Sequence, residues 1–232
     1  MKKHLLVALA LILSPVFVQA VKAEDMRFIS TTAEAREEAA PDIAVISIAV
    51  ETTAETVKAA TDENAARMEK VLAELKKAIG KSDEIKTSAF SVRPVHEYDG
   101  RRNILKGYTA FNGITVKTRS VVEAGRFIDI ALKSGANNIS DLRFELSDYT
   151  KVCAIAIEKA AIKARALSEA AARAFGVKLG NVKDITPNCH AFGQEPIVRF
   201  GLMEKAVVAA TPVEPGTTTV SATTEVRYFI AD

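Results

Sequence analysis

Two cysteines are the residues of this 232-residue chain whose chemistry is easiest to name. Cys153 lies near the start of a long predicted helix, and Cys189 lies just past a predicted strand that returns along that helix. In an oxidising compartment, an even number of cysteines favours pairing. The helix from Gly176 back to Cys153 spans about 35 Å at 1.5 Å per residue. The strand from Asn181 forward to Cys189 spans roughly 26 Å at 3.3 Å per residue.

This mismatch of about 8 Å slightly exceeds the reach of a disulfide unless the chain bends back. Two hypotheses therefore stay open. In the one that the estimate favours, Cys153 is simply a small buried apolar residue. In the other, Cys153 and Cys189 form a disulfide or a redox-responsive pair.

Other residue types give little support for catalysis. Only His96 and His190 lie beyond the N-terminal segment, far apart and in or beside predicted loops. A zinc site needs about three or four ligands at short spacings, and the sequence has none of the usual nucleophile, zincin, phosphate-loop or dinucleotide motifs. We therefore expect a non-enzymatic protein with no cofactor and no metal. A hydrolase that joins one of these histidines to a carboxylate remains an alternative.

The N-terminal segment has the layout of a secretory signal peptide. Lys2 and Lys3 precede an apolar run from Leu5 to Val18, which is too short to span a bilayer. Small residues follow, and we expect cleavage after Ala23 or Ala20. This layout predicts export to the periplasm, where association with the outer membrane is also compatible with the sequence.

Removal of residues 1–23 leaves residues 24–232, which we expect to form a single domain. Three of the 31 basic residues are lost and none of the 29 acidic ones, leaving 28 against 29 and a net charge of −1. This near-neutral balance gives no electrostatic reason to expect nucleic acid as a partner. The mature chain has no second apolar run long enough for a transmembrane segment.

The long helix is predicted from Asp148 to Gly176, because apolar residues recur there at three- and four-residue steps. Asp148 is a suitable N-cap, and Gly176 stands where a left-handed C-terminal residue is favoured. Capping-box spacings predict two further helices, one beginning at Thr52 and one at Ser120. Asn64 lies on the apolar stripe of the first helix, where a buried amide that binds nearby backbone is expected.

Strands are predicted between these helices, in the overall order ββαββαβαββ. Residues 85–97 and 106–119 form a predicted hairpin around Asp99-Gly100, with Pro94 expected at a sheet edge or bulge. The fold class is therefore α+β, with three helices packed on a largely antiparallel sheet. Residues 188–216 contain prolines, glycines and several apolar residues, and an apolar loop of this length tends to be functional or interfacial.

Exposed apolar residues suggest an assembly surface. Ile155 and Ile162 are seven residues apart and fall on the charged side of the long helix. Together with Ile197, Phe200 and Met203 of the apolar loop, they are our candidate contacts with another subunit.

Several short motifs occur in an order and spacing that resembles the SIMPL family. They are Pro41-Asp42 before an apolar strand, Asn64 and Met68 in the first helix, Ile85-Lys86-Thr87, Gly107-Tyr108, Gly135-Ala136-Asn137, Gly176-Val177 and Pro215-Gly216. Bacterial members of this family include periplasmic immunogenic proteins. One departure is the first strand, residues 29–35, which lacks the glycine that the family usually has.

The resemblance implies a secreted or periplasmic protein that often self-associates, is linked to stress responses and is recognised by host immunity. It implies no catalytic residues and no cofactor, and eukaryotic relatives act through protein–protein interactions. We therefore expect an exported protein that works as a homo-oligomer or binds periplasmic partners, in an envelope or oxidative stress response. The alternative is a redox-responsive or small-molecule-binding module that uses Cys153 and Cys189.

Overall fold

A computed structural model describes residues 27–192 and 213–231. The element order is ββαββαβαββ, so the predicted order and the α+β class are confirmed. The strands are β1 (Phe28–Ala39), β2 (Ile43–Ala54), β3 (Glu84–Tyr98), β4 (Asn103–Thr118), β5 (Asn138–Glu145), β6 (Lys178–Phe192) and β7 (Thr218–Ala231). The helices are α1 (Val57–Ala78), α2 (Ala124–Ser134) and α3 (Tyr149–Ala174), and a 3-10 turn (Val121–Glu123) precedes α2.

The described strands form two antiparallel sheets rather than one. The larger sheet has the order β3-β4-β2-β5, and the smaller sheet has the order β1-β7-β6. Apolar periodicity in a sequence identifies strands but not their partners, so the division into two sheets could not be predicted.

Helices α1 and α2 cover one face of the larger sheet and enclose the main core. The central strand β2 is buried along most of its length, which explains its nearly continuous apolar sequence. The largest fully buried side chains here are Ile46, Ile48, Val50, Val71, Leu75, Ile114, Val116, Ile128 and Leu142, with Phe127 almost fully buried.

Helix α3 packs on the smaller sheet through small residues. Ala156, Ala160 and Ala164 are fully buried, so the helix backbone lies close to β1 and β7. The Asp148 carboxylate accepts a hydrogen bond from the Lys151 N–H at 2.9 Å, as expected of an N-cap. Gly176 follows the helix with a φ of 68°, so both predicted ends of this helix are confirmed.

The predicted start of α1 at Thr52 is wrong. Strand β2 continues to Ala54 because it remains paired with β4 along this stretch. The N-cap is Thr56, whose hydroxyl accepts from the Ala59 N–H at 3.2 Å. The Thr52 hydroxyl instead donates to the Ala60 carbonyl at 2.7 Å, which ties the end of β2 to the first turn of α1.

The predicted capping box at Ser120 is also wrong, because its side chain makes no capping hydrogen bond. The chain first forms the 3-10 turn, and α2 begins at Ala124. In addition, β6 starts earlier and ends later than predicted, so residues 188–192 belong to this strand rather than to the apolar loop. Residues 193–212 of that loop lie outside the described residues.

Strand β3 lies at the edge of the larger sheet, so the predicted edge position of Pro94 is confirmed. An edge position suits proline because its missing N–H then faces solvent and not another strand. The pairing with β4 also shifts next to Pro94, between Val95 and His96.

Asn64 of α1 is fully buried and binds the sheet beneath it. Its amide nitrogen donates to the Val50 carbonyl at 2.8 Å and to the Ala110 carbonyl at 3.0 Å. One side chain therefore joins the helix to two neighbouring strands, β2 and β4. The expected role of Asn64 as a buried amide that binds nearby backbone is confirmed.

We predict that Asn64→Ala lowers the free energy of unfolding by about 2–4 kcal/mol, because two buried carbonyls lose their donor and a small cavity forms. Urea denaturation followed by circular dichroism measures this change. The matched control is Asn103→Ala, which removes an exposed amide and should change the stability by less than about 0.5 kcal/mol. Equal effects for both variants would contradict the role given to Asn64.

Candidate functional site

Cys153 of α3 and Cys189 of β6 are joined by a disulfide. Their Cα atoms are 6.1 Å apart, which is an ordinary distance for a disulfide. Both residues are half-buried, and the Tyr149 hydroxyl donates to the Cys189 Sγ at 3.4 Å. The disulfide therefore fastens the N-terminal part of α3 to an edge strand of the smaller sheet.

The estimate that favoured an unpaired Cys153 was wrong because it started the strand too late. β6 begins at Lys178 rather than near Asn181. The strand from Lys178 to Cys189 covers about 36 Å at 3.3 Å per residue, which nearly equals the length of α3 between Gly176 and Cys153. Helix and strand therefore bring the two cysteines level with each other.

The two histidines do not form a common site. His96 lies on β3 of the larger sheet and His190 lies on β6 of the smaller sheet, and both are exposed. His190 is opposite Ser221, but the Ser221 hydroxyl donates to Glu34 at 2.9 Å. No group of three or more potential metal ligands is found among the described residues.

A shallow trough of about 210 Å³ lies on the larger sheet around Val45. Its charged side chains pair with each other: Lys86 with Glu84 at 2.7 Å, Lys117 with Glu145 at 3.5 Å, and Arg143 with Glu145 at 3.1 Å and Asp141 at 2.9 Å. The hydrogen bond to Glu145, followed by the one to Asp141, raises the pKa of Arg143. A charged ligand would have to disrupt these ion pairs, so the trough is a weak binding site.

The outer face of α3 carries two of the predicted assembly residues. Ile155 is 37% exposed and Ile162 is 64% exposed, whereas the alanines on the opposite side contact the sheet. The structure therefore places these isoleucines together on one solvent-facing stripe. Ile197, Phe200 and Met203 lie outside the described residues.

The sequence analysis missed a projecting hairpin formed by β3 and β4. Strand β4 pairs with β2 only from Tyr108 to Thr118, and its remaining residues pair with β3 alone. Beyond the Pro94–Tyr108 pair, the hairpin therefore extends past β2 as a two-stranded ribbon, and we call residues 94–108 the arm. Tyr98 and Leu105 of the arm are 65% and 47% exposed. The signal in the sequence was length, because both predicted hairpin strands exceed the apolar run of β2.

A close backbone approach and several hydrogen bonds hold the base of the arm against β2 and α1. Gly107 crosses so close to β2 that a Cβ atom there would lie 2.5 Å from the Ala54 carbonyl oxygen. The hydroxyls of Thr53 and Thr109 are hydrogen-bonded at 2.7 Å, and the Asn64 amide binds the next residue of β4. These contacts fix the direction in which the arm projects.

Comparison with known proteins agrees with these features. The model of the SIMPL family, described as "Protein of unknown function (DUF541)", matches residues 29–228, which include both sheets and all three helices. The chain belongs to the SIMPL family. The match contains the arm, the outer face of α3 and the disulfide, so these features lie inside the family domain.

Curated relatives in the SIMPL family carry two kinds of name. The "26 kDa periplasmic immunogenic protein" of Brucella melitensis is 29% identical over 79% of this chain and 75% of its own length. The "Uncharacterized protein YggE" of Escherichia coli K12 is 30% identical over 90% of this chain and 85% of its own length. YggE of Edwardsiella ictaluri is 27% identical over 79% of this chain and 77% of its own length.

The helices of the described residues are those of a domain packed on its own sheets. None of them combines the length and the apolar character that crossing a membrane requires.

We predict that reduction of the disulfide lowers the free energy of unfolding by about 3–4 kcal/mol. The bridge joins residues 36 positions apart, and opening a loop of this size restores conformational entropy to the unfolded chain. Denaturant titration with and without reductant measures the difference. The control is the Cys153→Ala/Cys189→Ala variant. Its free energy of unfolding should equal that of the reduced protein and should not change when reductant is added. A difference below about 1 kcal/mol would contradict a stabilising role for the bridge.

Proposed function

We propose that this SIMPL-family protein is exported to the periplasm and acts without enzymatic activity, by assembling with copies of itself or by binding other periplasmic proteins. The observation that carries this proposal is the exposed apolar stripe of Ile155 and Ile162 on α3. The signal-peptide layout and the name of the Brucella relatives support the location.

The surroundings of the stripe suit a protein interface. Ion pairs flank it on the helix surface, between Arg165 and Glu169 at 3.0 Å and between Lys159 and Glu37 of β1. An apolar centre with a polar rim is the usual arrangement of such interfaces. Burial of the two isoleucines against a partner would contribute on the order of 1–2 kcal/mol each.

The biological setting comes from the family resemblance and from names of relatives. The proposal includes a contribution to envelope or oxidative stress responses and recognition by host immunity, in line with "periplasmic immunogenic protein". Association of the assembled form with the outer membrane is a further part of this proposal. No catalytic residue or cofactor enters it.

We predict that Ile162→Asp weakens assembly of the mature chain, residues 24–232, by about tenfold or more, because a charge replaces an apolar contact at the interface. Multi-angle light scattering across a range of protein concentrations measures the multimer and its midpoint concentration. The matched control is Val122→Asp, at a valine that is 83% exposed and belongs to the 3-10 turn before α2. Equal midpoints for both variants would contradict the α3 surface, and a monomeric wild-type protein would contradict self-assembly.

A second candidate function is a redox-responsive module. The disulfide favours it, because the half-buried bridge cross-links the N-terminal part of α3 to the far end of β6. In the sequence, β6 is followed directly by the apolar segment 193–212. Reduction by a dithiol would form two thiols and free the end of β6 from α3. On this hypothesis, freeing the end of β6 alters the contacts that residues 193–212 make in the assembly.

We predict on this second hypothesis that reduction changes the multimer mass, with thiol titration showing two reactive thiols per chain only after reductant. Light scattering of the reduced protein and of Cys153→Ala/Cys189→Ala should give the same changed mass. If the alanine variant assembles as the wild type does, the bridge is purely structural and the redox hypothesis is wrong.

A further inference from the structure

We infer that the arm forms an antiparallel two-fold contact with the arm of a second copy of this chain. This inference rests on the proposed function, since it names a second surface for the same assembly. It does not depend on the α3 stripe, because the arm belongs to the other sheet.

One face of the arm and of its base carries the exposed apolar side chains of the hairpin, next to the polar side chains of His96 and Asn103. The alternation of β3 and its register with β4 place Phe90, Pro94 and Tyr98 on the same face as Leu105 and Tyr108. Phe90, Tyr98 and Leu105 are 61%, 65% and 47% exposed. A two-stranded ribbon is only marginally stable in water, so an apolar face on such a ribbon favours a covering partner.

The partner meets this face and does not extend the sheet. The open edge of β3 has no N–H at Pro94 and bulges between Thr87 and Ala89. The outer edge of β4 is also open in the arm, and it bulges at Lys106. Proline and bulges on an edge strand oppose the addition of another strand. Contact through side chains of the apolar face is therefore favoured over strand addition.

The end of the arm favours a protein partner over a lipid surface. The turn reads Asp99-Gly100-Arg101-Arg102, and the Asp99 carboxylate accepts the N–H groups of Arg101 and Arg102, both at 2.9 Å. A hairpin tip that entered a bilayer would have to bury these two arginines at a high free-energy cost, and the apolar residues here line the side of the arm. A side-on apolar surface matches another protein surface.

Charges at the two ends of the arm indicate that its protein partner is a second copy of this chain. Arg101 lies at the tip, and Glu55 lies at the base, where its Cα atom would be 3.5 Å from a Cβ atom on Gly107. Among the described residues, neither side chain has an ion-pair or hydrogen-bond partner. The two charges are separated by about 20 Å along the ribbon, at 3.4 Å per residue.

A two-fold axis across the apolar faces joins these opposite charges. In an antiparallel arrangement, the tip of each arm reaches the base of the other, so that Arg101 of one copy meets Glu55 of the partner subunit, twice per interface. The same rotation places the apolar faces against each other. A parallel arrangement would instead bring like charges together.

The size of the contact sets its strength. From Phe90 to Tyr98 the face is about 27 Å long and roughly 10 Å wide, which gives a footprint of roughly 270 Å² on each copy. A standard specific interface buries about 800 Å² per partner. The arm contact is therefore a reversible one that adds to another interface.

A charge exchange in the full mature chain tests this arrangement. Arg101→Glu and Glu55→Arg should each raise the midpoint concentration of assembly about tenfold, because like charges then meet at both ends. The double variant should return the midpoint to within about twofold of the wild-type value. Leu105→Asp should raise it about tenfold with no rescue, whereas the control Val122→Asp should leave it unchanged. Circular dichroism confirms that each variant is folded.

The outcomes separate the arm from the proposed function. If the wild type assembles and all arm variants assemble equally well, the arm contact is overturned while self-assembly stands. If both single variants assemble more weakly than the wild type and the double variant does not recover the wild-type midpoint concentration, the antiparallel pairing is overturned. As a second measurement, Glu55→Cys/Arg101→Cys should form covalent dimers under oxidation, since about 20 Å within one chain is too far for a disulfide. Formation of monomers alone would also overturn the pairing.

Discussion

The buried amide of Asn64 is the contact on which the larger sheet and the arm both depend. It binds carbonyls of β2 and β4 near the end of β2, beyond which β4 is paired with β3 alone. This one side chain therefore joins helix α1, the sheet and the base of the arm, in addition to the apolar core between them. Because Gly107 lets β4 cross closely over the end of β2, the arm projects in a direction set by the core.

The two sheets divide the molecule into a well-filled core and a thinner layer. The larger sheet buries leucine, isoleucine and phenylalanine under α1 and α2, whereas α3 contacts the smaller sheet mainly through alanines. The disulfide and the Tyr149 hydroxyl strengthen this thinner layer at its edge. Apolar side chains that neither layer uses remain on α3 and on the arm, and a protein that acts by association presents such surfaces.

Features governed by local chemistry could be predicted from the sequence, and features governed by pairing could not. The caps at Asp148 and Gly176 follow from local hydrogen bonding and from a left-handed backbone, and both were predicted correctly. The capping-box spacing at Thr52 was misleading because pairing with β4 keeps that residue in a strand. The disulfide was disfavoured and the projecting arm was missed because periodicity misplaced the start of β6 and the end of β2.

Hydrogen exchange at two protein concentrations tests the central claim, that the arm and the outer face of α3 are covered by other copies of this chain. The measurement compares amide exchange in residues 94–108 and 149–174 below and above the concentration at which the protein assembles. The account predicts slower exchange of both the arm and α3 at the higher concentration, with unchanged exchange in β2 and in the buried face of α1. The same exchange rates in the arm at both concentrations would contradict it.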